Sequence, residues 1–235
     1  MNRDILKSDK QCPESEKFWV FLTLMLVGGY FGAFTYSIRG GVFANAQTAN
    51  CLLMAMNLAR GNFGAASYYF IPIIAYLVGS AISEHFTVME VILGKLRWPT
   101  VLVGFEIIAV AVLGFIPEDA SFHISQLIIS FICAMQYNTF RTVENMPMAT
   151  IFCTNHIRQT GVALYKWVSA GDIRSMRSFF IHTVMIAVFV VGAYISTHLC
   201  AMWLGRAIWV QEIPLCIVFA ALLNYDIKNT RQEEK

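Results

Sequence analysis

The sequence predicts an all-α membrane protein with six transmembrane helices and two short polar re-entrant or broken helices, arranged as two inverted repeats. Three observations lead to this fold class. The composition is strongly apolar, six stretches are long enough to cross a bilayer, and one pattern of residues recurs in both halves of the chain.

The composition indicates a membrane protein. Of the 235 residues, 57% are apolar and 14% are charged, and the mean hydropathy is +0.58. Soluble domains carry about 25% charged residues, and a chain this short cannot bury so much apolar surface in one water-facing core. The apolar composition excludes a soluble enzyme and a disordered chain. The formal net charge of only +2 excludes a nucleic-acid-binding protein.

No sequence motif indicates catalysis or a bound cofactor. The sequence has no phosphate-binding glycine loop, no GxSxG and no HExxH motif. The six cysteines form no CxxC spacing of the kind that holds zinc. We therefore expect no enzymatic activity, no cofactor and no metal site.

Six apolar stretches set the predicted spans. A helix needs about 20 apolar residues to cross the hydrocarbon core of a bilayer. The stretches that meet this length are 18–38, 64–86, 98–116, 123–140, 178–203 and 205–225. Residues 1–17 and 226–235 are then an N-terminal and a C-terminal tail.

Two further stretches, 42–59 and 149–170, are too polar to face lipid. The first stretch carries Asn45, Gln47, Thr48, Asn50 and Asn57, and the second carries Thr154, Asn155, His156, Arg158, Gln159, Thr160 and Lys166. Each polar group or charge costs free energy in hydrocarbon. We therefore expect helices surrounded by protein, or segments that enter the membrane and return on the same side.

The distribution of Lys and Arg favours the re-entrant arrangement. With six spans and both termini in the cytoplasm, 14 of the 17 Lys and Arg residues are cytoplasmic, and Arg39, Arg60 and Arg206 are external. If all eight segments crossed, only 11 would be cytoplasmic. Positive residues concentrate in cytoplasmic loops, so we predict six spans with both tails cytoplasmic.

The two halves of the chain, 18–116 and 123–225, resemble each other. Residues 79–86 and 192–199 share Gly, Ile, Ser and His at the same offsets, and residues 47–50 are echoed by residues 153–156. Glu106 and Glu212 each lie in the last span of their half. Because each half has three full crossings, the second copy enters the membrane upside down, as in many transporters.

Residues 40–50, Gly-Gly-Val-Phe-Ala-Asn-Ala-Gln-Thr-Ala-Asn, follow an apolar span that contains Gly28 and Gly32. This pattern resembles the YoaK-like bacterial membrane proteins, a domain of unknown function of about this length. That family usually has Thr-Gly-Asn where this chain has residues 48–50, and Thr-Gly-Asn or Thr-Gly-Thr where it has residues 154–156. The resemblance implies a multi-pass protein of the bacterial inner membrane and no established reaction.

Two groups of residues are candidates for function. Eight polar residues of the two broken segments could replace the hydration shell of a small solute, although they could instead cap the broken helices. They are Asn45, Gln47, Thr48, Asn50, Thr154, Asn155, His156 and Arg158. Glu106 and Glu212 lie inside apolar spans and could carry a proton, or each could donate a structural hydrogen bond.

We therefore expect a secondary transporter or permease for a small polar or anionic solute, with proton coupling as an open alternative. A channel for a small solute or ion, or a non-transporting membrane scaffold or accessory subunit, is the alternative. The expected partners are the lipid bilayer and the solute, and no nucleic acid; a homo-oligomer is left open.

Overall fold

The chain is helical in the computed structural model, which describes residues 13–89, 92–93, 96–118, 120–143 and 146–233. Most of the predicted N-terminal tail, residues 1–12, and the last two residues of the C-terminal tail lie outside this part. The helices are α1 Phe18–Ile38, α2 Gln47–Ala59, α3 Phe63–Val88, α4 Trp98–Leu113, α5 Phe122–Thr139, α6 Thr154–Ala170, α7 Ile173–Trp203 and α8 Glu212–Glu233.

Short 3₁₀ and extended pieces join the helices. Residues Glu14–Glu16 and Leu204–Gln211 form 3₁₀ segments. Strands β1 (Ile92–Leu93) and β2 (Leu96–Arg97) pair antiparallel before α4, with Ile92 opposite Arg97. Strands β3 (Thr142–Val143) and β4 (Met146–Pro147) pair in the same way before α6, with Thr142 opposite Pro147.

The long helices are suited to a membrane. Within the described residues, three helical runs have the length and apolar composition to cross one: Phe18–Ile38, Phe63–Val88 and the continuous run Ile173–Thr230. Trp98–Leu113 is a shorter apolar helix. Large apolar side chains such as Phe63, Phe115 and Tyr165 are exposed on the protein surface. The prediction of an all-α membrane protein is confirmed at this level.

Helix α1 forms the centre of the packing. In its most apolar stretch of 18 residues, 67% of the residues are buried, against 22% in the most apolar stretch of α3. Helix α1 packs against α7, and α3 packs against α5, so each of these pairs joins the two halves of the chain. In addition, α2 packs on α3, α6 packs on α7, and α4 packs on α8.

Two glycines allow the main helix pairs to cross closely. A Cβ atom at Gly192 of α7 would lie 2.2 Å from the carbonyl oxygen of Leu26 in α1. A Cβ atom at Gly79 of α3 would lie 2.6 Å from the carbonyl oxygen of Phe131 in α5. Small residues at such crossings let helix backbones approach, which is common in membrane proteins.

Helix α7 begins five residues before the predicted span because Asp172 caps it. The Asp172 carboxylate accepts hydrogen bonds from the backbone N–H groups of Arg174 (3.1 Å) and Ser175 (3.3 Å) and from the Ser175 hydroxyl (2.6 Å). These hydrogen bonds, the one from the Ser175 hydroxyl above all, hold the pKa of Asp172 below its usual range. Gly171 ends α6 in the left-handed conformation, with φ +62°.

The last predicted span, 205–225, differs from the observed structure. Residues Leu204–Gln211 form a 3₁₀ segment, and the α-helix begins only at Glu212. Tertiary contacts engage this segment: the Tyr30 hydroxyl donates to the Ala207 carbonyl, and the Trp209 indole N–H donates to the Ala111 carbonyl (3.1 Å). The 3₁₀ geometry of this segment thus occurs together with contacts to α1 and α4, and an apolar run of sequence does not predict it.

The two polar stretches are only partly helical. Residues 42–46 and 149–153 are not helical, and α2 and α6 begin after them. At a rise of about 1.5 Å per residue, the 13 residues of α2 are too short to cross a bilayer. The predicted breaks are therefore present at the starts of both helices.

Candidate solute site

The N-terminal ends of α2 and α6 lie close together inside the protein. Asn45, which is 3% exposed, precedes α2 and donates through Nδ2 to the carbonyl oxygen of Ile151 at 3.0 Å. The same Nδ2 donates to the carbonyl oxygen of Gly28 in α1, also at 3.0 Å. Asn45 thus connects the break before α2 to the break before α6 and to the central helix.

Side chains from the first turn of each helix hold the breaks. Gln47 Nε2 donates to the Ala44 carbonyl at 2.8 Å, and Asn50 Nδ2 donates to the Phe43 carbonyl at 2.9 Å. Asn50 Nδ2 also donates to Gln47 Oε1 at 2.9 Å. Gln47 and Asn50 therefore cap the broken segment, which is one of the two roles expected from the sequence.

The second break uses the same hydrogen bond with a different residue. His156 Nε2 lies 2.9 Å from the carbonyl oxygen of Ala149, seven residues earlier. Asn50 likewise bonds the carbonyl of the residue seven positions before it, Phe43. The sequence repeat aligns Asn50 with His156, so matched residues make matched contacts.

The first turns of α2 and α6 leave backbone N–H groups available. Neither helix has an acidic residue in its first turn, and no side-chain hydrogen bond from the N-cap residues Ala46 and Cys153 caps either helix. The first four N–H groups of a helix have no partner within the helix, and the helix dipole favours negative charge there. At the start of α2 the N–H groups of Ala46 and Ala49 already donate to the carbonyls of Phe43 and Ala46. The remaining N–H groups at both ends can donate hydrogen bonds to an anion or to a polar solute.

Two cavities adjoin the place where α2 and α6 begin. One, of about 370 Å³, is bordered by α1 and α7, and the other, of about 470 Å³, is bordered by α3 and α5. Four residues line both cavities: Asn45, Ala46, Phe152 and Thr154. The second Asn45 amide atom, Oδ1, is buried and has no hydrogen-bond partner among the described residues.

The outer walls of the two cavities use positions that the sequence repeat relates. Tyr76 and Phe189 each lie three residues before the glycine at a helix crossing. Gly32 lies six residues after Leu26, whose carbonyl Gly192 approaches. Tyr137 lies six residues after Phe131, whose carbonyl Gly79 approaches. The α3–α5 cavity therefore has two phenol side chains where the α1–α7 cavity has a phenylalanine and a glycine.

The structure gathers half of the eight predicted solute-binding residues at these cavities. The lining residues are Asn45, Gln47, Thr48 and Thr154. The residues that line neither cavity are Asn50, Asn155, His156 and Arg158. Arg158 is exposed and donates to Asn155 Oδ1 at 3.2 Å. Solute binding by these eight residues stays a prediction.

The two predicted proton carriers lie in different environments. Glu106 is the ninth residue of α4 and is fully buried, and neither carboxyl oxygen has a hydrogen-bond partner in the described part of the chain. Glu212 is the first residue of α8, is partly exposed, and has one buried oxygen without such a partner. Neither residue lines the cavities at α2 and α6, so their role stays a prediction.

Polar contacts join helix ends at two places in the structure. At one, the Arg39 guanidinium donates to the carbonyls of Ile116 (3.0 Å) and Pro117 (3.2 Å). It also lies 3.5 Å from the Glu118 carboxylate. That carboxylate accepts a hydrogen bond from the Gly205 N–H (2.8 Å).

At the other place, the Asp226 carboxylate accepts from the backbone N–H of Arg97 (2.9 Å) and from the Thr100 hydroxyl (2.6 Å) at the start of α4. Glu84 near the end of α3 forms an ion pair with Arg141, which follows α5. These contacts fix which helix ends are neighbours.

Sequence reasoning did not single out His182, Tyr76 or Tyr137. His182 pairs with His156 across α6 and α7, and its signal was available, since an ionisable residue inside an apolar run is unusual. The two tyrosines carry no such signal, because tyrosine is common in membrane helices. Within the described residues, no group of three or more His, Cys, Asp or Glu side chains could hold a metal ion.

Comparison with known proteins gives one match. A family model with the description "Protein of unknown function (DUF1275)" matches residues 20–221. This range runs from α1 into α8 and includes both broken segments. No curated protein and no solved structure matches the chain.

Proposed function

We propose a transport function for this chain, which belongs to the DUF1275 family of proteins of unknown function. This membership confirms the YoaK-like resemblance of residues 40–50. The proposed protein is a secondary transporter or permease for a small polar or anionic solute and has no enzymatic activity. It crosses the bacterial inner membrane six times, through α1, α3, α4, α5, α7 and α8, with both termini in the cytoplasm.

One observation carries the proposal: α2 and α6 begin side by side, directly after breaks that contain the buried residues Asn45 and Ile151, and cavities adjoin their N-terminal ends. Asn45 bridges the two breaks, and Thr154 at the start of α6 lines both cavities. Interrupted helices with their ends at a central cavity are typical of secondary transporters. A scaffold has no need of such an arrangement.

The helix packing supports the proposed inverted repeats. If α1 to α4 correspond to α5 to α8, the pair α1–α7 corresponds to α5–α3, and α2–α3 corresponds to α6–α7. The remaining pair, α4–α8, corresponds to itself. A two-fold relation between the halves requires this pattern. The matched bonds of Asn50 and His156 and the matched glycine crossings agree with it.

The neighbouring helix ends support the proposed topology. Arg39, Glu118 and Gly205 all lie at ends that the six-span arrangement assigns to the outside, and they contact one another. The ends at Arg97 and Asp226, which it assigns to the cytoplasm, also contact each other. An arrangement in which all eight segments cross would put Arg97 and Asp226 on opposite sides.

The chemistry of the site suits a small solute that can accept and donate hydrogen bonds. The N-terminal ends of α2 and α6 and the Thr48 hydroxyl offer donors. The Thr48 and Thr154 hydroxyl oxygens can also accept. No charged residue lines either cavity, so the site favours neutral polar molecules or anions held by backbone dipoles. Glu106 would carry the proton if transport is proton-coupled.

Liposome swelling tests the proposal. Purified protein is reconstituted, and the liposomes are shrunk in concentrated potassium formate, potassium nitrate or urea, with valinomycin present for the salts. We expect faster re-swelling than in protein-free liposomes for at least one solute, with a rate that saturates as its concentration rises. Thr48→Val and Thr154→Val should slow it, because each keeps the side-chain shape and removes a cavity hydroxyl.

Thr183→Val is the matched control. Thr183 is exposed on α7 and bonds the Phe179 carbonyl within its own helix, so its loss should leave the rate unchanged. A rate that does not saturate would replace the transporter with a channel. If none of the three solutes re-swells the liposomes and the protein purifies with a stable partner, the transport proposal fails and a scaffold is the better account.

A further inference from the structure

Two buried imidazoles face each other between α6 and α7. Nδ1 of His156 lies 2.8 Å from Nδ1 of His182, and the ring centroids are 5.1 Å apart at an interplanar angle of 49°. His156 is fully buried, and His182 is 6% exposed. This distance is a hydrogen bond, so one ring donates and the other accepts.

The partners of His156 fix where the protons are. A carbonyl oxygen can only accept, so Nε2 of His156 carries the hydrogen that it donates to Ala149. In the neutral ring Nδ1 then holds a lone pair, and it must accept from Nδ1–H of His182. Nε2 of His182 is the remaining ring nitrogen, with no hydrogen bond to another described residue.

We propose that the His156–His182 pair is a proton-binding site that takes up one proton, at Nε2 of His182. A proton from water forms an N–H bond there, and the pair gains one positive charge. A second proton would have to occupy the lone pair of His156 Nδ1, which would set two N–H groups against each other across 2.8 Å. The capacity of the pair is therefore one proton.

The other half of the chain shows that the break itself does not need a histidine. Asn50, at the position that the repeat matches with His156, bonds the carbonyl seven residues earlier through a neutral amide. Asn50 Oδ1 has no hydrogen-bond partner among the described residues, whereas the corresponding nitrogen of His156 has His182. The ionisable pair is thus an addition to a break that already has its capping bond.

Among the described residues, no charged side chain forms a contact with either imidazole of this pair. Helix α1, which packs against α7, contains no charged residue, and the break before α6 contributes the Ala149 carbonyl. Half-buried Cys153 is the titratable group that begins α6. The charged residues nearest in sequence on α6, α7 and the 3₁₀ segment are exposed: Arg158, Arg177 and Arg206.

A bound proton would therefore act on the packing of α6 against α7. A buried charge without a counter-charge is unfavourable, and the pair can lower this cost by moving apart or admitting water. His156 lies two residues after Thr154, which lines both cavities. Proton binding does not depend on the proposed transport function, whereas its effect on the cavities does.

Nuclear magnetic resonance of the full-length protein tests the proposal. The five histidines are labelled with ¹⁵N in nanodiscs, and the ring nitrogens are followed through an acid titration. In the neutral protein we expect an Nε2–H ring coupled to an Nδ1–H ring, and a single proton uptake step shared by both. Two uptake steps, or none before the protein unfolds, would overturn the proposal.

Substitutions assign the step. His156→Asn reproduces the residue of the other half and should keep the capping bond, so the protein should fold while the shared step is replaced by titration of an isolated His182. His182→Gln should remove the shared step. His198→Gln is the control, because His198 is exposed on α7 and stacks on Tyr194. If the shared step survives in either of the first two variants, the site is elsewhere.

Discussion

The side-chain nitrogen of Asn45 lies 3.0 Å from the carbonyl oxygen of Ile151, and this hydrogen bond joins the two broken segments. It spans 106 positions of sequence and brings together the places where α2 and α6 begin. Because Asn45 also lines both cavities, it is the residue whose replacement should affect stability and the site together.

Asn45→Ala should destabilise the fold. It removes the side-chain donor from the buried Ile151 carbonyl and a second donor from the Gly28 carbonyl, which lies inside α1. We expect the free energy of unfolding to fall by about 1–3 kcal/mol, the cost of one buried unsatisfied group. Denaturation in detergent, followed by circular dichroism, measures this. Asn57→Ala is the control, because Asn57 bonds only the Leu53 carbonyl within α2. Equal losses in both variants would contradict the bridging role.

The helix crossings should not tolerate an added methyl group. Gly192→Ala and Gly79→Ala put a Cβ atom 2.2 Å and 2.6 Å from a carbonyl oxygen of the facing helix. We expect each to destabilise the protein by about 1–3 kcal/mol through overpacking. Gly161→Ala on α6 meets nothing within 4 Å and should stabilise by about 0.5–1 kcal/mol. Melting temperatures of the three variants give the comparison, and a neutral Gly192→Ala would show that α1 and α7 do not cross as described.

Neutral replacements at the two carboxylates test proton coupling. If Glu106 and Glu212 carry protons, Glu106→Gln and Glu212→Gln should fold and still bind solute, because glutamine mimics the protonated acid. Uptake by reconstituted protein should then no longer depend on the external pH. Ala at either site should do worse, since it removes the polar group altogether. If both Gln variants keep the wild-type pH dependence, these carboxylates are structural.

Cysteine labelling tests the topology. Cys12, which lies outside the described residues, and the exposed Cys51 and Cys216 are first replaced by serine. Arg60→Cys and Ala170→Cys are then introduced singly at exposed sites. In intact cells an impermeant thiol reagent should modify the first of these from outside and should modify the second only after lysis. If Arg60→Cys is not modified from outside, α2 does not return to the side from which its segment enters. If Ala170→Cys is modified from outside, α6 does not return.

Acid should loosen the start of α7 by protonating Asp172. The pKa of this carboxylate is lowered by its hydrogen bonds from Ser175 and Arg174. Its contribution to stability is therefore present above the ordinary aspartate range and is lost as the pH falls through the lower, folded-state value. The protection of the first-turn amides of α7 against hydrogen exchange, taken relative to their intrinsic exchange rates, should fall over that interval in the wild type. In Asp172→Asn the acid dependence should be absent.

Much of the fold follows from the apolar runs and from the polar residues that separate them. The start and end of α1 match the predicted span, and α3 and α5 differ from theirs by one or two residues at each end, because a span is defined by local composition. The 3₁₀ segment Leu204–Gln211 could not be predicted in this way, since its partners are Tyr30 and Ala111, far away in the sequence.

The candidate site was predicted in part. Asn45, Gln47, Thr48 and Thr154 were found because polar residues stand out in an apolar chain. The outer walls were not, because which helices pair depends on tertiary packing, and a helix that is apolar on all sides gives no sign of which face meets a neighbour. Tyr76 and Tyr137 became part of the site only once α3 was known to pack on α5.

The interlocked packing of the two halves affects how the protein is made. Helix α1 leaves the ribosome first, yet its main partner is α7, and Gly192, where the two helices cross, comes late in translation. Throughout that interval the face of α1 that meets α7 has only lipid and the insertion machinery to cover it. Membrane quality-control proteases can therefore attack α1 for most of the time taken to synthesise the chain, and a product truncated after residue 116 should be degraded rather than accumulate.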